Sequence, residues 1–173
     1  TIGKELAKQA LFALFLANLG ILVYVSFRFE WRFGVAAIIA LIHDVLIMLV
    51  VYSVARIAIN ASFIAAILTI VGYSINDTIV IFDRIRENKK RVRKVEHNSL
   101  VNQSVSETLS RSINTSLTTL LTILTLYILG VPAIKDFALP LIVGILAGTY
   151  SSIFIASPLW VLLDQKIKFK GAH

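Results

Sequence analysis

The chain has no cysteine, one methionine, three prolines and only 16% charged residues among its 173 positions. Without cysteine there is neither a disulfide framework nor a thiolate metal site, so the redox compartment leaves no mark. The three histidines, His43, His97 and His173, lie in different regions and give no metal-ligand spacing. There is no Gly-rich phosphate loop, no nucleophile elbow and no pair of catalytic carboxylates, so no motif supports an ATPase or a hydrolase. A non-enzymatic role without an organic cofactor is the expectation.

What the chain does have is apolar length. Hydrophobic residues make up 57% of it and the mean hydropathy is +0.82, a composition suited to lipid. Five stretches, about 9–27, 33–55, 61–82, 112–130 and 137–163, are each near or above the ~20 residues needed to cross a hydrocarbon layer. The expected fold is an all-α membrane protein, a single transmembrane domain over 1–173 with a basic loop at about 84–111 that begins and ends helically.

The formal charge of +7 matters less than where it falls, because Lys and Arg beside the spans set their orientation. One side collects Arg28, Arg32, Arg84, Arg86, Lys89, Lys90, Arg91, Arg93, Lys94, Lys166, Lys168 and Lys170; the other has Lys4, Lys8, Arg56 and Lys135. The richer side reads as cytoplasmic, which puts the N-terminus outside and the C-terminus inside. "TIGKELAKQ" lacks a cleavable-signal pattern, so an earlier helix and an external domain are expected upstream. The basic stretch carries no nucleic-acid fold signature and reads as a surface for anionic lipid headgroups or a membrane partner.

Within the spans, the costly residues are His43 and Asp44 in "ALIHDVLIM" and Asn76 and Asp77 in "VGYSINDTIVIF". An aspartate near mid-membrane costs ~3 kcal/mol on insertion scales, so such residues face a bundle interior and serve a function or meet a partner. At ~1.5 Å per residue, Asp44 is ~16 Å inside its span and Asp77 ~24 Å from the outer end of its own. In the fourth span Ser104, Thr108, Arg111, Thr115, Thr118, Thr122 and Thr125 recur at spacings of four and three, one helical face. That stripe lines a polar path, with Thr115 and Thr118 passing protons or holding water, or its hydroxyls bond their own helix and glue neighbours. Asp77 and Arg111 fall in the same half of consecutive antiparallel helices, as a switchable proton site or a fixed structural pair. Gly144, Gly148, Ser152 and Ala156 form a small-residue ridge for close helix packing.

Three stretches, "FRFEWRFGVAAIIALIHDV", "GYSINDTIVIFDRIREN" and "SRSINTSLTTLLT", closely resemble SecF of the SecD/SecF family, the bacterial protein-export membrane subunits. The likeness covers nearly the whole chain. It implies helices two to six of a six-helix bundle of the resistance-nodulation-division type in the bacterial inner membrane, without the family's first helix and external domain. It further implies a SecD partner, the SecYEG channel with YajC nearby, and secreted polypeptides handled by the external domain. The proton gradient would drive the pair, each charge crossing releasing ~2.3 kcal/mol per 100 mV. The family's proton-conducting aspartate and arginine fall on Asp77 and Arg111, with Asp44 a second candidate and Thr115 and Thr118 weaker supports. The alternatives are a scaffold holding SecD and the translocon together, or half of a lipid or drug exporter.

Overall fold

A computed structural model describes residues 2–91 and 96–170; Thr1, Arg93, Lys94 and His173 lie outside the described residues. Helix α1 runs Ile2–Arg28, α2 Trp31–Val54, α3 Ala61–Arg91, α4 His97–Leu129, α5 Pro132–Ser151 and α6 Ser157–Lys170, with a π-helical turn Ser152–Ala156 joining the last two. No strand occurs among the described residues. The chain crosses back and forth five times, α5 and α6 forming one span. At ~1.5 Å per residue the 31 residues of α3 and the 33 of α4 reach ~46–50 Å, well beyond a ~30 Å hydrocarbon core. The basic stretch at 84–111, expected to begin and end helically, is helical up to Arg91 and again from His97.

Local chemistry sets the boundaries. Arg56 takes a left-handed φ of 54° just past α2, and Ile57 N–H reaches back to the Tyr52 carbonyl at 3.0 Å, closing the helix with a turn. Asn60 then opens α3 by accepting the Phe63 N–H on its side-chain oxygen at 2.9 Å. Pro132 occupies the first turn of α5, where a missing N–H costs nothing. Pro158 follows the π turn; its ring would strike the carbonyl four residues back in a regular helix, and the widened turn relieves that clash.

In lipid, helices associate through close packing because hydrocarbon already satisfies apolar side chains. Helix α3 sits at the centre, in contact with all four other spans. The predicted small-residue ridge seats α5 against it: a Cβ on Gly144 would collide with Ile70, and one on Gly148 would stand 3.0 Å from Ser74. Ala36, Ala37 and Ala40 are buried along α2 for the same reason. At the charged end Phe33 stacks on Trp160 at 4.9 Å and tilts against Phe82 at 4.8 Å, all three fully buried. Each aromatic pair contributes about 0.5–1.5 kcal/mol beyond its area.

Candidate functional site

The small residues that bring α5 against α3 also shape a polar interior. Asp44 on α2 is 1% exposed. Its Oδ2 accepts the Ser74 hydroxyl of α3 at 2.6 Å, and its Oδ1 lies 3.3 Å from His43 Nδ1. A Gly148 Cβ would stand 3.6 Å from Oδ2, so glycine lets the α5 backbone approach the carboxylate. One turn on, Thr78 and Ser152 share a hydrogen bond at 2.8 Å, and the Ser152 hydroxyl lies 3.5 Å from the Ser74 carbonyl. The π turn thus begins at a buried hydroxyl bridging α5 to α3.

Asp77, three residues after Ser74, points away from this cluster towards α4. Its Oδ1 accepts the Ser112 hydroxyl at 2.6 Å, while Oδ2 is buried with no hydrogen-bond partner. The α4 face that meets the bundle is Ser104, Thr108, Ser112 and Ser116, every fourth residue and all buried. Ser116 bonds Thr149 of α5 at 2.7 Å, and Asn88 donates to Ser104 at 3.0 Å, so this row joins α4 to both neighbours.

The stripe read from the sequence shares Ser104 and Thr108 with that row and then departs from it. Thr115, Thr118, Thr122 and Thr125 are exposed, and each hydroxyl donates to a carbonyl of its own helix at 2.8–3.0 Å. Arg111 is also exposed and makes no ion pair with Asp77 within 4.0 Å among the described residues. It borders a cavity with Asp83, Arg84, Glu107 and Thr108, and its charge acts on Asp77 only through space. The correction is a rotation of ~100° per residue: stepping from 108 to 112 faces the bundle, whereas stepping to 111 leaves it. A hydroxyl residue at every fourth position, serine at three of the four, was the available signal, since small hydroxyl residues mark tight helix interfaces.

Five residues before Ser112, and before the apolar stretch 112–130, Glu107 receives Asn88 at 2.8 Å, Gln103 at 3.0 Å and Arg84 at 2.5 Å. These hydrogen bonds hold its carboxyl down to about 2. A second charged hub was not foreseen. Asp164 of α6 is fully buried and takes Arg32 of α2, His97 of α4 at 2.6 Å and Lys89 of α3 at 3.7 Å. Four helices are pinned there, through residues as far as 132 positions apart. No group of acidic and histidine side chains among the described residues is arranged to hold a metal.

With this geometry in view, the comparisons decide the family. The profile described as "Protein export membrane protein SecD/SecF, C-terminal" matches residues 1–166. The chain belongs to the SecD/SecF family. It is 48% identical over 171 residues to the "Protein translocase subunit SecF" of Magnetococcus marinus, covering 99% of this chain and 55% of that protein. It is 49% identical over 164 residues to the "Protein translocase subunit SecDF" of Bacillus subtilis, covering 93% of this chain and 22% of that one. The crystal structure of SecDF, "a translocon-associated membrane protein", from Thermus thermophilus superposes with a TM-score of 0.89 at 52% identity, over 95% of this chain and 23% of that chain. The chain thus spans about half the length of its separate SecF relatives and under a quarter of the fused ones. It is a multi-pass membrane protein of the SecF type, and its relatives are translocase subunits.

Proposed function

We propose that this chain is the membrane motor half of a SecF-type subunit, coupling the proton gradient to Sec-dependent protein translocation through Asp77. The observation that carries the reading is the half-satisfied carboxylate: Ser112 holds one oxygen and the other is buried without a partner. Oδ2 is the atom open to a proton, and gaining or losing one there changes what Asp77 can offer to α4. Arg111, near the same α3–α4 seam and outside any ion pair with Asp77, supplies a charge whose approach or withdrawal biases that proton.

The partner follows from what α4 leaves uncovered. Arg111, Asn114, Thr115, Thr118 and Thr122 are exposed along a span, and polar side chains at membrane depth face protein or water rather than lipid. Relatives in which SecD and SecF are one chain favour a SecD-type half over this face. In that arrangement Thr115 and Thr118 line the joint between the halves. SecYEG and YajC complete the assembly, and the charge-rich end faces the cytoplasm. Rocking of two related halves about a midplane site is the expected motion.

The scaffold reading has an observation of its own: Ser74 and Ser112 tie Asp44 and Asp77 to neighbouring helices, as a fixed structural pair would. Export by the full-length protein with its partner in vesicles separates the two. Asp77→Asn keeps assembly in both readings but removes the gradient's contribution only if Asp77 couples.

A further inference from the structure

At the charge-rich end most basic side chains already have a carboxylate. Arg32 and Lys89 meet Asp164, and Arg84 and Arg91 meet Glu87. Three do not: among the described residues, Arg28, Arg86 and Lys90 have no carboxylate oxygen within 4.0 Å, yet they line one cavity of about 380 Å³ between α1 and α3. Arg28 and Arg86 lie over the same ring, their guanidinium carbons 5.2 and 5.7 Å from the Phe29 centroid. Arg86 also donates to the Arg28 carbonyl at 3.2 Å, fixing it against the end of α1. Two acidic residues share the lining. Glu87 is engaged by Arg84 at 2.7 Å and Arg91 at 2.5 Å, and Asp83 is exposed and, among the described residues, outside any ion pair. Three cations gathered against one free carboxylate and one already paired leave a net positive cavity.

Its place in the fold narrows the ligand. Arg28 ends an apolar stretch long enough to cross a membrane, and Trp31, three residues on and 52% exposed, is of the kind enriched at headgroup level. From Arg28 the same face of α1 runs back at four-residue steps through Tyr24, Gly20 and Leu16. Tyr24 and Leu16 are at least half exposed, and nothing lies within 4 Å of where a Gly20 Cβ would stand. An open apolar track thus leads to a basic cavity. Basic pockets between membrane helices at this level hold lipid phosphates, and guanidinium groups suit phosphate oxygens through paired hydrogen bonds.

We infer that Arg28, Arg86 and Lys90 form a binding site for the phosphate headgroup of an anionic lipid, with an acyl chain lying along the Tyr24, Gly20 and Leu16 face of α1. The site is separate from the Asp77 seam and does not depend on the function proposed above.

Native mass spectrometry of the full-length protein with its partner, released from micelles holding equal phosphatidylglycerol and phosphatidylcholine, tests this. The expected result is retention of phosphatidylglycerol over phosphatidylcholine. The preference falls about fivefold in Lys90→Gln, an exposed change that leaves the fold intact, and disappears when Arg28→Gln and Arg86→Gln are added. Arg91→Gln removes an equal charge from a paired position outside the cavity and changes the preference by less than about twofold. Equal loss in Lys90→Gln and Arg91→Gln would mean a diffuse surface potential, and an unchanged preference in the triple variant would place the lipid elsewhere; either overturns the site. Displacement of the lipid by millimolar inorganic phosphate overturns the lipid assignment in favour of a soluble phosphate.

Discussion

Asp44 and Asp77 are two buried carboxylates on adjacent helices, each held by a serine at 2.6 Å, and they differ in the second oxygen. Asp44 has Ser74 on one oxygen and His43 on the other, with the α5 backbone drawn close by Gly148. Asp77 has Ser112 on one and nothing on the other, and lies one step from the exposed polar face of α4. On the function proposed above, completeness of the hydrogen-bond shell rather than depth separates the two, because a fully satisfied buried network is rigid and an incomplete one has somewhere to go.

Three substitutions break or sharpen that contrast. Ser74→Ala removes a donor from the enclosed carboxylate, 1% exposed, and should destabilise the protein by about 2 kcal/mol in unfolding titrations in micelles. Ser112→Ala removes the matching donor from Asp77, which keeps 9% exposure beside an uncovered face, and should cost about 1 kcal/mol. A larger loss at Ser112 than at Ser74 would reverse the assignment of rigid and mobile sites. The smallest effect concerns Glu107, the exposed tie between α3 and α4. Its carboxyl is lowered from 4.5 to about 2, so its stabilising contribution is complete above about pH 4.5 and is lost as pH falls towards about 2. The decline of the thermal midpoint across that window should be slightly smaller in Glu107→Gln than in the wild type.

Much of this architecture was legible from residue order. Runs of about twenty apolar residues located all five crossings, and the small ridge from Gly144 to Ala156 packs closely on another helix as expected, though that this helix is α3 emerged only with the fold. Helical ends to the basic stretch were expected, but how far α3 runs, to Arg91, was not legible, because past Phe82 no apolar period marks where the helix stops. Asp44 and Asp77 stood out because charge in a span is costly. Their partners did not: Ser74 and Ser112 carry little signal alone, and two hydroxyl rows on α4 differ by a single residue step. Which row faces inward depends on how α3 and α5 pack, a tertiary fact. The Asp164 hub was invisible for the same reason, since Arg32, Lys89 and His97 meet it only when the helix ends converge.

The central claim is that the open oxygen of Asp77 carries the coupled proton. The direct test is proton-gradient-stimulated export in vesicles by the full-length protein with its partner, wild type against Asp77→Asn, with complex assembly measured on the same preparations. The account predicts intact assembly and loss of at least about tenfold in the gradient's contribution, as removing the protonatable carboxylate that carries the coupling requires. Export still stimulated by the gradient in a fully assembled Asp77→Asn complex would contradict it.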